Sequence, residues 1–140
     1  MVDAVIMNPN LVEVPLGQFV VMNILMWNCR GALNLDFKRR IYEMAINHNL
    51  AIMVITKTRV DRDRAERIIA DLPFDGFITT ETIGYAVGLW VLWKKEVAEV
   101  DLLAVTEQEI HATVKVCHSN LNWFISAIYA SPRLVERWLV

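Results

Sequence analysis

Two short polar segments hold the residue types that could do chemistry, Asn28-Cys29-Arg30-Gly31 and Thr56-Lys57-Thr58-Arg59. In the first, the Asn28 amide oxygen could help hold a hard cation or a scissile phosphate, and the Arg30 guanidinium is a planar fork for phosphate oxygens. The same four residues also suit a plain turn, because Asn and Gly favour turns wherever they fall. The second segment places Lys57 and Arg59 in a basic loop. Asp61, Asp63 and Glu66, alternating with Arg62, Arg64 and Arg67, would neutralise most of its charge. Cys29 and Cys117 lack the close spacing of a zinc site or a disulfide framework, so a reduced, intracellular setting is expected. The histidines form no cluster: His48 falls on an apolar helical stripe, and the spacing of His111 and His118 points them to opposite faces if the strand continues. The five tryptophans read as core packing rather than base-stacking platforms. Trp90 and Trp93 cannot both face one side of a regular strand.

The polar segments need elements to hold them. Phe19 to Asn28, nearly unbroken in apolar residues, predicts a strand buried on both faces. With Asp36 as N-cap, Phe37, Ile41, Met44, Ala45 and His48 then follow the stripe of one helical face. Leu50 to Thr56 predicts a second buried strand, and the order β-α-β makes the two strands parallel, with Asn28 and Lys57 opening on one edge. That edge is where sites of open α/β sheets form. A second helix is expected over about 62–72, stopped by Pro73. From Phe74 the period changes to two, and 74–80, 89–93, 97–105, 109–117 and 121–129 read as an antiparallel meander. The alternation of Ile110, Ala112, Val114 and Val116 with Glu109, His111, Thr113 and Lys115 is its clearest sign. Ser131-Pro132 predicts a helix start, with Leu134, Val135 and Trp138 on its apolar face.

Composition bounds the rest. A chain of 140 residues, 55% hydrophobic with a formal charge of −2, is no disordered polyelectrolyte. The apolar run 19–27 is broken by Asn23 and falls short of the ~20 residues that cross a bilayer. Residues 1–15 carry Asp3 and Glu13 and no basic residue, unlike a secretory signal. Residues 1–67 hold nine Lys/Arg against seven Asp/Glu, whereas 68–140 hold five against nine, so any polyanion contact belongs to the first half. One unit spans 19–140, behind a loosely organised leader over 1–18.

Taken in order, Trp27-Asn28-Cys29-Arg30-Gly31, Ile55-Thr56-Lys57-Thr58-Arg59, Gly84-Tyr85-Ala86-Val87-Gly88-Leu89-Trp90 and Ile128-Tyr129-Ala130-Ser131-Pro132 resemble the endonuclease/exonuclease/phosphatase superfamily. The likeness is closest to the endonuclease domain of plant LINE-type retrotransposon reverse transcriptases, and covers its N-terminal part. The resemblance implies a partial DNase-I-like four-layer α/β sandwich and Mg²⁺-dependent nicking of DNA. It also implies that Asn28 sits at the metal and phosphate, Arg59 touches the DNA backbone, and Tyr129 lies near the cleft. Where the family motif reads Glu-Thr-Arg, with Glu the chief metal ligand, this chain has Lys57, and the family glycine pair before Leu-Trp is Val87-Gly88. Exchanging a carboxylate for an ammonium about 4 Å from a divalent ion costs binding on the order of 10 kcal/mol at an effective dielectric of ~20. The family's general-base His and its later Asp residues belong to a part of the domain with no counterpart here, since no Asp follows Asp101 and no His follows His118.

The expectation is therefore a truncated, inactive relic of a Mg²⁺-dependent endonuclease, nuclear if the ancestral role is kept. The alternatives are a non-catalytic module holding nucleic acid or protein through Arg30, Lys57 and Arg59, and a weak metal-dependent phosphodiesterase. The inner face of the meander is expected to lack a partner sheet, which would drive self-association.

Overall fold

The computed structural model describes residues 4–7, 11–14, 18–80, 88–106, 108–128 and 133–138, with side-chain detail between Met22 and Ile128. The expected leader contains strands. β1 (Ala4–Met7) pairs antiparallel with β4 (Asn23–Asn28), Ala4 opposite Trp27, while β2 (Leu11–Val14) and β3 (Gln18–Val21) form a hairpin of their own. The single strand expected over 19–28 is thus divided at Met22, with Phe19–Val21 in the hairpin and the remainder in the main sheet. An apolar run records that its residues are buried, not that they share one sheet. Met22 itself is fully buried in the core, and the Asn23 amide donates to the carbonyl of His48, fixing the start of β4.

The β-α-β unit forms as expected. After α1 (Phe37–His48), the strand β5 (Leu50–Thr56) lies parallel to β4, with Asn28 opposite Thr56. Phe37, Ile41 and Ala45 bury one face of α1, and Asn49, left-handed at φ 47°, ends the helix with its N–H on the carbonyls of Ala45 and Ile46. Asp36 is no side-chain cap. Its backbone is already helical, and its carboxylate instead pairs with Arg39 at 3.3 Å. The true cap is on α2 (Arg62–Ile69), where Asp61 accepts from the Arg64 N–H at 2.8 Å. This helix stops at Ile69, short of Leu72.

β6 (Gly76–Thr79) and β7 (Leu89–Trp93) do not join the meander. They complete a five-stranded mixed sheet of order β1-β4-β5-β7-β6, in which β7 runs antiparallel to both neighbours. All five residues of β7 are buried, so it must be an interior strand covered on both faces. Trp90 faces the helices and Trp93 the opposite core, as their spacing required. The Trp93 ring lies over Gly76, where a Cβ would collide with it.

The second sheet is β11-β10-β9-β8, antiparallel throughout, from β8 (Ala98–Val105), β9 (Glu109–Val116), β10 (Asn122–Ile128) and β11 (Arg133–Trp138). The helix expected over the tail is therefore a strand, with Ile128 opposite Arg133 and Trp123 opposite Trp138. Two isolated helical turns are marginal in water, whereas the edge of β10 offers a continuous ladder to a Val- and Trp-containing segment. Ser131 and Pro132 lie outside the described residues.

The expectation of an uncovered inner face is overturned. Ala98, Ile110, Val114, Val116, Trp123, Ile125 and Ala127 pack on Met22, Ile24, Met26, Ile52, Val54, Val91 and Trp93 in one cluster. The opposite face of the mixed sheet carries a second cluster, in which Leu25, Trp27, Met53, Ile55 and Trp90 meet Phe37, Ile41, Ala45, Ala65 and Ile69 of the helices. The layers are helices, mixed sheet, antiparallel sheet. The central strands are buried on both sides, so each sheet face finds an apolar partner.

Candidate functional site

β4 and β5 end side by side, and their last polar residues form one rim. Asn28 and Thr56 are register partners on the face turned toward the second sheet, since Met26 and Val54, two residues earlier, belong to the inter-sheet cluster. Past them the two chains stay bonded: Cys29 N–H to the Thr56 carbonyl at 3.1 Å, Ala32 N–H to the Thr58 carbonyl at 2.8 Å, and Thr58 N–H to the Gly88 carbonyl at 3.4 Å. Arg30, Lys57 and Arg59 then adopt left-handed backbone, at φ 57°, 58° and 55°. Such a conformation costs about 1–3 kcal/mol at a side-chain-bearing residue and tends to gather at functional sites. Here it projects three cations from a rim otherwise held rigid. Arg30 and Arg59 are exposed and Lys57 is half-buried.

Beneath the cations lie three buried oxygens, Asn28 Oδ1, Thr56 Oγ1 and Thr58 Oγ1, with no hydrogen-bond partner among the described residues. Buried polar atoms are nearly always satisfied, and each orphan costs about 1–3 kcal/mol. The threonines were missed in the sequence. The signal was available in the alternation of Thr56 and Thr58 with Lys57 and Arg59, which turns two hydroxyls inward and two cations out. Replacing Thr56 by Val removes an orphaned hydroxyl with little change of shape. Its urea midpoint should therefore rise, by about 1–2 kcal/mol of stability.

Two of the three neighbouring acids are engaged on α2. Asp61 is committed to capping α2, and Glu66 lies 4.0 Å from Arg62. Among the described residues no carboxylate pairs with Lys57 or Arg59, and no cluster of three His, Cys, Asp or Glu suits a metal. Mg²⁺ is held by carboxylates in near-octahedral geometry. A rim of one amide oxygen, two hydroxyls and three cations does not fit it. Tyr129, expected near the cleft, lies outside the described residues.

Cys29 sits within this edge, and burial pushes its thiol from 9.0 up to about 11, with a hydrogen bond from Gly31 and the Arg59 charge offsetting part of the rise. It is therefore an inert thiol rather than a nucleophile. Because the folded value lies above the unfolded one, its contribution to stability is complete below pH 9 and lost as pH rises through about 11. The loss is on the order of 2–3 kcal/mol. Urea titrations over that range should show a steeper fall for the wild type than for Cys29→Ala.

A second polar constellation spans β9 and β10. His111 Nδ1 lies 2.7 Å from Ser126 Oγ and Nε2 lies 3.1 Å from Glu109 Oε2, with the ring stacked on Phe124 at 6.2 Å. The order resembles a nucleophile, base and orienting acid. However, the surrounding backbone belongs to the β8-β9-β10-β11 ladders, leaving no paired N–H groups to receive an oxyanion. This constellation is a satisfied cross-strand network, consistent with the expected structural role of His111. A groove of about 770 Å³ between the end of α2 and the start of β6, lined by Leu72, Phe74, Asp75 and Lys94, lies at the opposite edge of the mixed sheet.

No helix among the described residues is long and apolar enough to cross a membrane. A scan against family models gives no match, and neither does a comparison with curated protein sequences.

Proposed function

We propose that the chain is a DNase-I-like endonuclease scaffold of retrotransposon type that has lost metal chemistry and retains a rim for holding a phosphodiester backbone without cutting it. The observation that supports this reading is that Arg30, Lys57 and Arg59 leave the adjoining ends of β4 and β5 in left-handed backbone beside Asn28, and that among the described residues no carboxylate pairs with Lys57 or Arg59. Each cation has a distinct use. The guanidiniums can each take two phosphate oxygens in a fork, while Lys57 acts as a point charge that cannot activate water. The Asn28 amide oxygen and the Thr56 and Thr58 hydroxyls lie buried at the same strand ends. DNA is the proposed partner, and Mg²⁺ is no cofactor of this rim. Had it bound, it would have supplied Lewis-acid stabilisation of the leaving oxygen.

A plasmid-nicking assay with Mg²⁺ or Mn²⁺, run beside a salt-dependent DNA-binding titration, tests the reading. The expected result is binding that weakens with salt and no cleavage. Lys57→Glu should also fail to nick, because one carboxylate restores neither a general base nor a full ligand set. Cleavage by the wild type, abolished by EDTA and by Asn28→Ala, would instead identify a working phosphodiesterase.

A further inference from the structure

We propose that the antiparallel sheet continues from one copy of the chain into the next, the free edge of β8 pairing with the free edge of β11 of a neighbouring copy in an open head-to-tail array. Among the described residues β8 pairs only with β9 and β11 only with β10, so each offers one unpaired backbone edge. Such an edge is a template for another strand.

Direction selects the pairing. Four strands alternate in the order β11-β10-β9-β8, so β8 and β11 run in opposite senses. A second copy moved along the sheet without being turned over therefore presents its β11 antiparallel to β8, and keeps the apolar face of the sheet on the same side. With an odd number of strands the same displacement would have brought parallel edges together.

Charge selects it again. β8 carries Glu99 and Asp101, and β11 carries Arg133 and Arg137 with one acid, Glu136. The ladders place Asp101 opposite Thr113, Thr113 opposite Phe124 and Phe124 opposite Arg137, one row across all four strands. A neighbouring copy at the same height extends that row, setting position 137 of the neighbour opposite position 101, with position 99 on the diagonal. Pairing β8 with a second β8 would bring two acidic strands together, and pairing two β11 edges would bring together two strands of net positive charge. Apolar contact adds to the effect at β8, where Leu102, Leu103 and Val105 are 47%, 55% and 44% exposed. The irregularity between Leu102 and Ala104 shortens the regular edge and keeps the association weak. Because the contact joins two different edges it leaves one of each unpaired in a dimer, and growth continues past that stage.

Sedimentation velocity on the full chain across the micromolar range tests this. The mean mass should climb with concentration without a plateau at the dimer. Asp101→Arg alone and Arg137→Glu alone should each weaken association about tenfold, since reversing one partner converts an attractive cross-strand pair into a repulsive one. Mixing the two variants should restore wild-type growth, because the altered β8 of one meets the altered β11 of the other. Hydrogen exchange on the wild type gives a readout free of any mutation: amides of β8 and β11 should gain protection with concentration while those of β1 and β6 do not. A mass that stops at the dimer, a mixture no better than its components, or protection that spares either β8 or β11 overturns the proposal.

Discussion

Replacing Arg30, Lys57 and Arg59 together by Gln is expected to weaken binding of a short DNA duplex on the order of 10²–10³-fold at ~0.1 M salt. Each phosphate contact releases about 0.9 counterion, so three contacts shift log K by about 2.7 at that salt, and the slope of log K against log salt should flatten by the same ~2.7. Fluorescence anisotropy over a salt series measures both quantities on the same samples. Gln keeps a polar side chain at each position while removing its charge, and the salt slope reports the charge part of the change. If affinity falls while the slope stays constant, the rim acts through packing or loop conformation, and the proposed phosphate contacts are wrong.

The larger effect on stability should come from Trp90→Ala, with an expected loss of about 3–5 kcal/mol by urea denaturation. Trp90 is 1% exposed on β7, its ring edge-on to Phe37 at 5.8 Å, and Phe37 in turn stacks on Trp27 at 5.6 Å. The truncation would leave a cavity that joins β4, α1 and β7. Domains of this size are stable by only about 5–15 kcal/mol, so a large share of the total would go. The rim would loosen with it, because Gly88, two residues before Trp90, accepts the Thr58 N–H that anchors the Lys57 loop. DNA affinity should therefore fall along with stability, although Trp90 touches no phosphate. Unchanged stability in this variant would mean that the helix layer does not pack on the mixed sheet as described.

Much of the local structure was legible. Leu50–Thr56 and Leu89–Trp93 are strands with the bounds their apolar runs suggested, and the alternation in β9 survives residue by residue as buried Ile110, Ala112, Val114 and Val116. The rim was legible in part. Asn28 and the 57–59 loop do meet on one edge, because a parallel β-α-β crossover leaves no other arrangement. The orphaned hydroxyls and the left-handed backbone at Arg30, Lys57 and Arg59 were not, since φ at a non-glycine residue is set by the bonds that trap it. Those bonds come from Thr56, Thr58 and Gly88, brought together only when three strands are in place.

By itself the sequence determined which segments must be buried, on one face or two, and which side chains stand at the exits of the first two main strands. Tertiary structure alone decided that β6 and β7 join the mixed sheet, that residues 133–138 extend rather than coil, and that the inner face of the second sheet is covered from within the chain. The physical reason is that hydrophobic periodicity reports the environment a residue requires and not the element that supplies it. Burial is non-directional, and many neighbours could satisfy it. Only backbone pairing between distant segments, fixed once competing edges have been filled, chooses among them.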